Sequence, residues 1–234
     1  MKSSFLLLAL LGAATAAEAQ TAIPAGTVSL GGGIGYSRSS DKYSSTPNNT
    51  TYSNESSASQ FSFTPAVGYF VADNLEIGLN LGYMSYRKPY NTFSPAPAMV
   101  RAELDPTTTL RVGPFVRYYK MISDQFGVSG TLGAGYQSIR DYQYSGNSSS
   151  NAILEYKGSG YYAGLTPAIV FFPVPQFAIS ASIGSLAYSR FSFDYPASPG
   201  NTAPSGYENT SSAFGANFGF SQLQFGGTYY FGRK

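Results

Sequence analysis

Residues 75–83 read Leu-Glu-Ile-Gly-Leu-Asn-Leu-Gly-Tyr, a strict alternation of apolar residues with small or polar ones. Alternation with a period of two predicts a β-strand that has one apolar and one polar face. The face opposite the leucines holds Glu76, Asn80 and two glycines. Such small groups suit the crowded interior of a narrow barrel, so the apolar face is expected to point outward, to lipid.

Seven further segments alternate in the same way. The eight predicted strands cover about residues 27–37, 60–70, 75–86, 109–120, 126–139, 161–172, 177–188 and 222–231. A tilted strand needs about 9–11 residues to cross a bilayer, whereas strands of soluble proteins average about 5–6. The lengths therefore favour an eight-stranded antiparallel up-and-down transmembrane β-barrel over a soluble sandwich.

The last strand carries a change of phase. Phe214, Phe218 and Phe220 fall on the opposite face from Phe225 when the alternation is followed without interruption. A β-bulge near Ser221 would reset the register. The alternative is a strand that continues above the membrane with its faces exchanged.

The connectors are alternately long and short. The turns at residues 72–74 and 173–175 are tight, whereas the four predicted long loops cover about residues 39–59, 88–106, 141–157 and 191–212. This asymmetry is typical of outer-membrane barrels, with long loops outside and short turns in the periplasm. Their Ser, Asn, Gly and Pro content favours mobile tips. Their tyrosines leave an unidentified extracellular ligand at the loops as an alternative.

Residues 1–19 are predicted to be a signal peptide. Lys2 gives a positive start, residues 5–14 form an apolar core, and Ala17-Glu18-Ala19 precedes Gln20 as a cleavage pattern. The apolar run is too short to span a bilayer as a helix. The remaining residues, 20–234, are predicted to form a single barrel domain in the bacterial outer membrane.

The composition excludes several classes of function. Charged residues make up 11% of the chain and the net charge is +2, so a nucleic-acid partner is not expected. The chain has no His and no Cys, which excludes Ser–His nucleophiles and metal sites that depend on those ligands. Scattered carboxylates leave a carboxylate pair or Ca²⁺ site formally open. We expect no enzymatic activity, no cofactor and no metal.

Aromatic residues cluster near both ends of the predicted strands, as in the two belts of a membrane barrel. At the short-turn end the predicted belt contains Tyr69-Phe70, Tyr118-Tyr119, Phe126, Phe171-Phe172, Phe177 and Tyr229-Tyr230-Phe231. At the long-loop end it contains Tyr36, Tyr83, Tyr86, Tyr136, Tyr161-Tyr162 and Tyr188.

The most specific polar group is predicted inside the barrel. Glu76, Arg111 and Arg117 all point to the lumen in this register. Buried charges must pair, so Glu76 is expected to pair with one of the two arginines. A structural plug is the preferred interpretation, and a gate for small ions is the alternative.

Three prolines recur at equivalent heights. Pro65 and Pro167 lie in the related phrases Phe-Thr-Pro-Ala-Val and Leu-Thr-Pro-Ala-Ile, and Pro114 lies in a looser copy. Proline removes a hydrogen bond from a strand ladder. We predict that the three mark local kinks that help the sheet to close.

The chain resembles the small outer-membrane β-barrel family, a porin-like group that includes the OmpA-type transmembrane domain and OmpW-type barrels. The resemblance rests on the Ala17–Gln20 signal end, on residues 113–119 (Gly-Pro-Phe-Val-Arg-Tyr-Tyr), on residues 184–188 and on residues 225–231. It implies that Tyr229 and Phe231 form a signal for the barrel-assembly machinery. Outer-membrane lipid would be the other partner.

Three functions are consistent with the sequence. The first is an integral outer-membrane barrel with a structural or surface-interaction role. The second is a narrow passive channel for small solutes or hydrophobic molecules. The third is a secreted soluble β-barrel that binds a ligand.

Overall fold

The structure is a computed structural model that describes residues 22–94, 102–144, 153–196, 202–219 and 223–233. The predicted signal peptide lies outside these ranges. In the described ranges the strands are β1 (Val28–Ser45), β2 (Tyr52–Ala72), β3 (Leu75–Ser94), β4 (Thr107–Met121), β5 (Phe126–Tyr144), β6 (Ile153–Val174), β7 (Phe177–Ser182), β8 (Gly184–Phe193), β9 (Thr210–Phe218) and β10 (Gln224–Phe231). A short 3-10 turn covers Pro47–Asn49.

The strands form an all-β, closed, eight-stranded antiparallel barrel, which confirms the predicted fold class. β7 and β8 together make the seventh strand of the barrel, because both pair with β6. β9 and β10 make the eighth, because β9 pairs with β8 and β10 pairs with β7. β1 closes the barrel by pairing with β2 on one side and β10 on the other.

The closing ladder between β1 and β10 is short. It runs from Val28 opposite Phe231 to Gly32 opposite Gly227. Gly32 has a φ of 145°, and a Cβ built on it would overlap the Thr64 carbonyl of β2. Beyond Gly32, the described part of β1 pairs with β2 alone. Residues 220–222, which precede β10 in the sequence, lie outside the described ranges.

The apolar face of the sheet points outward. Leu79, Leu132 and Ile34 are 59%, 58% and 75% exposed, whereas inward-facing Glu76 and Gln137 are fully buried. A soluble barrel has the opposite arrangement, with its apolar side chains inside. The alternation in the sequence therefore assigned the two faces correctly.

Several strands are longer than predicted. β2 begins at Tyr52 and β3 continues to Ser94, so much of the predicted loops 39–59 and 88–106 is paired strand. Likewise β5 runs to Tyr144 and β6 begins at Ile153. The loop prediction was wrong here because polar hairpins can continue a ladder above the apolar band without any apolar alternation.

The last two barrel strands are each interrupted. Ile179 and Tyr188 both point outward although their numbers differ in parity, so one residue is inserted near Gly184, whose φ is 133°. This break in the predicted strand 177–188 was not foreseen. Phe214 and Phe225 are also both outward and strongly exposed, so β9 and β10 do not exchange faces, and the predicted bulge near Ser221 lies outside the described residues.

Within the described ranges, none of the helical structure has the length and apolarity needed to cross a membrane.

Candidate functional site

Four aromatic side chains close the short-turn end of the barrel from inside. Phe70, Tyr119, Phe172 and Tyr230 are all at most 2% exposed and form what we call the aromatic floor. The ring centroids of Phe70 and Tyr119 lie 5.6 Å apart, and those of Phe172 and Tyr230 lie 5.3 Å apart. The two tyrosine hydroxyls are hydrogen-bonded at 3.0 Å. The floor leaves no room for a wide pore at this end.

The floor corrects part of the predicted aromatic belt. In each adjacent pair, such as Tyr118-Tyr119, one ring points outward and the next points inward, because successive side chains of a strand alternate. Tyr69, Tyr118, Phe171 and Tyr229 are 42–56% exposed and remain at the outer surface. Their neighbours are core residues and do not belong to the belt.

The segment before β1 completes the floor from below. Ile23 is fully buried, and its N–H donates to the Asn74 side-chain oxygen at 2.8 Å. The Asn74 N–H donates back to the Ile23 carbonyl at 2.9 Å, and the Tyr119 N–H donates to the Asn74 carbonyl at 2.9 Å. Asn74 adopts a left-handed φ of 62°, which asparagine tolerates better than most residues.

Directly above the floor, Glu76 and Arg117 form an ion pair. They are opposite partners on β3 and β4, with 3.4 Å between Oε2 and Nη1. The Ser29 hydroxyl donates to Oε1, and the Tyr119 hydroxyl donates to Oε2 at 3.1 Å. Arg117 Nε donates to the Thr131 hydroxyl at 2.8 Å. This network, the Glu76 network, links β1, β3, β4 and β5.

The Glu76 carboxylate fits because Gly68 on β2 has no side chain. A Cβ built at Gly68 would overlap Oε1 of Glu76. On the neighbouring wall, the Phe115 ring packs over Gly78 in the same manner, and the Arg117 guanidinium lies 4.8 Å from the centre of that ring. The small residues of the inner face therefore make space for a few large or charged side chains.

Arg111, the third predicted member, lies apart from Glu76. Its guanidinium lies 5.5 Å from the centre of the Tyr162 ring, and the Tyr162 hydroxyl donates to Asn80 at 3.0 Å. Among the described residues it has no carboxylate at ion-pair distance. The structure therefore brings together two of the three predicted charges and leaves Arg111 as a net positive charge.

A polar cavity of about 400 Å³ occupies the barrel interior above the floor. Its wall contains Arg111 and Arg117 together with Asn80, Tyr162 and Thr64. Towards the long connectors, an ion pair between Lys88 and Asp141 spans from β3 to β5 at 2.8 Å. Partial burial alone would raise the pKa of Asp141, but hydrogen bonds from Gln143, Lys88 and Thr107 hold that pKa below its usual value.

Tyr229 and Phe231, the predicted assembly signal, lie at the outer surface of the short-turn end. They are 45% and 50% exposed, and their ring centroids are 4.8 Å apart. After them, Arg233 turns back beneath the barrel, where its guanidinium lies 3.9 Å from the centre of the Phe172 ring.

The sequence analysis did not assign the network members Ser29, Thr131 and Tyr119, or the floor residues Phe70, Phe172 and Tyr230, to the interior site. The signal for the two tyrosines was available, because alternation forces one member of each adjacent aromatic pair to point inward. Ser29 carried no signal, since serine also occurs on the inward faces of β2, β5 and β7. Within the described residues, no group of three or more Asp or Glu side chains could hold a metal ion.

The fold and the interior define a small closed β-barrel with an apolar outer surface and a blocked end. No protein-family model and no curated protein matches the sequence. Among solved structures, the chain is similar to the outer membrane protein OprG from Pseudomonas aeruginosa. The two are 14% identical with a TM-score of 0.49, over 89% of this chain and 97% of that one.

Proposed function

We propose that this protein is an integral outer-membrane β-barrel with a structural or surface-interaction role and no catalytic activity. The observation that carries the proposal is the inverted distribution of side chains: apolar residues cover the outside, and a charged, hydrogen-bonded network lies inside. Soluble proteins rarely expose apolar patches larger than a few hundred Å². Lipid is the solvent in which this surface is stable.

The vertical extent of the apolar surface supports the same proposal. On β5 the outward apolar run extends from Phe126 to Tyr136, and on β6 it extends from Tyr161 to Phe171. These runs match the about 9–11 residues that a tilted strand needs to cross a bilayer. The outward tyrosines at the long-connector end of both runs, Tyr136 and Tyr161, suit a membrane–water interface.

Membrane fractionation of cells that produce the full chain tests this proposal. We expect the mature protein in the outer-membrane fraction, resistant to carbonate extraction, with a heat-modifiable shift on gel electrophoresis. A protein that carbonate releases and that shows no such shift would instead be a secreted soluble binder, and the proposal would be wrong.

A narrow passive channel is the second candidate. It is favoured by the interior cavity and by Arg111 in its wall, which has no carboxylate at ion-pair distance among the described residues. The aromatic floor opposes it, since the floor side chains would have to move before a solute could pass. Swelling of liposomes that contain the purified protein separates the two. We expect no swelling above protein-free liposomes, whereas solute-dependent swelling would establish the channel.

A further inference from the structure

Five strands carry an outward tyrosine and, farther towards the long connectors, an outward cation. We call the two sets the tyrosine ring and the basic ring. The pairs are Tyr36 and Arg38 on β1, Tyr83 and Arg87 on β3, Tyr136 and Arg140 on β5, Tyr161 and Lys157 on β6, and Tyr188 and Arg190 on β8.

The register of the strands places the basic ring on one continuous outer face. In each pair the tyrosine and the cation are separated by an even number of residues, so they project to the same side of the sheet. Arg38 and Arg87 both flank Ser59 of the intervening strand β2. Arg140 and Lys157 are direct cross-strand partners. All five cations are exposed.

Carboxylates accompany the basic ring, but they lie farther from the apolar band. Glu155 contacts Arg140 and Lys157, each at 3.1 Å, from two positions farther out on β6. Glu103 contacts Arg87 at 2.6 Å from the connector before β4. Asp194 follows the end of β8, where its N–H donates to the Lys157 carbonyl. From the membrane outward, the order is therefore apolar, phenolic, cationic and then anionic.

Two members of the basic ring lack an acidic partner. Among the described residues, neither Arg38 nor Arg190 has a carboxylate at ion-pair distance. The opposite end of the outer surface differs, because Lys120 is the one outward cation there within the described ranges. Positive charge on the lipid-facing surface is thus concentrated at the long-connector end.

We propose that the basic ring binds the phosphorylated headgroups of lipids in the outer leaflet, an inference that rests on the proposed function. Phenol side chains lie at headgroup level in membrane proteins, so cations immediately beyond them meet the phosphates. Arginine forms bidentate hydrogen bonds with phosphate. Arg38 and Arg190 are the main contacts, because no carboxylate competes with the lipid for them.

Titration of the folded mature protein in neutral detergent with diphosphoryl lipid A tests the proposal. A double variant, Arg38→Gln with Arg190→Gln, should weaken binding by about fivefold for each arginine removed. Lys42 lies four positions beyond Arg38 on β1 and is the cross-strand partner of Glu55, and Lys120 lies at the short-turn end. The matched control, Lys42→Gln with Lys120→Gln, therefore removes the same charge from the same outer surface outside the basic ring and should bind as the parent does. The heat-modifiable shift verifies that each variant is folded. If the double variant does not fold, the two single variants are titrated instead.

Two further titrations identify the chemical group that the basic ring binds. Lipid A from which both phosphates have been removed should bind far more weakly, and inorganic phosphate alone should not saturate the site. The proposal is overturned if the double variant binds like the parent or if the control weakens binding equally. It is also overturned if dephosphorylated lipid A or inorganic phosphate binds as well as intact lipid A. A parent protein found in the soluble fraction would instead refute the proposed function, which keeps the two failures distinct.

Discussion

At the residue scale, the carboxylate of Glu76 determines the organisation of the barrel interior. It accepts hydrogen bonds from Ser29 on β1 and from Arg117 and Tyr119 on β4. Its side chain is 1% exposed, whereas that of Arg117 is 22% exposed. Removing one partner of a buried pair costs more than the pair contributes, because the remaining charge stays buried without compensation.

Glu76→Ala should therefore lower the free energy of unfolding by about 3–5 kcal/mol. Urea unfolding of the protein in lipid vesicles, followed by the heat-modifiable gel shift, measures this loss. Glu155→Ala is the control, because exposed ion pairs contribute about 0–1 kcal/mol and this carboxylate lies at the outer surface. Equal losses for the two variants would show that the Glu76 network has no special role in stability.

Gly68→Ala should disturb the same network without removing a charge. The added methyl overlaps the Glu76 carboxylate, so the carboxylate must leave its partners, at a cost of about 1–3 kcal/mol for overpacking. Gly130→Ala serves as a control in a strand of the same barrel, because a Cβ at Gly130 meets no other atom within contact distance. The same urea measurement distinguishes them, and an unaffected Gly68→Ala variant would contradict the argument.

At the scale of the elements, each of the three related prolines lies where a ladder is interrupted. Between β2 and β3 the pairing passes from Phe63 to Ala66 and omits Pro65. Between β4 and β5 it passes from Val112 to Phe115 and omits Pro114. Pro167 lies where β6 changes its partner from β8 to β7. Since proline cannot donate a ladder hydrogen bond, the interruptions follow from the sequence.

Replacement of Pro65, Pro114 and Pro167 together by Ala should therefore change both the barrel and its heat stability. We expect a lower temperature for the heat-modifiable transition, because the ladder loses the kinks that let the sheet curve closed. Pro204→Ala, in the connector between β8 and β9, is the control. A triple variant with unchanged shape and unchanged transition temperature would disprove a structural role for these prolines.

The elements also define what could be predicted from the sequence. Outward Leu79, Leu132 and Ile169 followed from alternation, because lipid selects apolar residues at every second position. The upper half of β2, which includes Ser53 and Ser57, could not be predicted, since above the membrane both faces are polar and alternation disappears. The break near Gly184 could not be seen in the sequence, because the inner-face residues are small on both sides of the bulge.

At the scale of the whole molecule, the aromatic floor makes the barrel a closed-ended container. The cavity above it is bounded by strand walls, and the Glu76 network separates it from the floor. The pairing of Glu76 with an arginine was accessible to sequence reasoning because the register fixed both residues on one face. The choice of Arg117 over Arg111 depends on the stagger between β3 and β4, which alternation does not determine.

Opening the floor should convert the protein into a conducting pore. Phe70→Ala combined with Phe172→Ala removes two of its four rings, so we expect planar-bilayer conductance above that of the parent. Tyr118→Ala, which removes an outward ring from the same end, should leave conductance unchanged. Glu76→Ala should also show parental conductance if the Glu76 network is a plug, and altered conductance would support the ion-gate alternative.

The aromatic floor also has a consequence for the order of events during folding. Its residues come from β2, β4, β6 and β10, and Ile23 from the segment before β1 lies beneath them. The Tyr119–Tyr230 contact joins positions 111 residues apart in the chain, so it cannot form until the last strand, β10, has joined the barrel. Assembly must therefore pass through an unsealed barrel, and the last step of folding is the step that stops leakage.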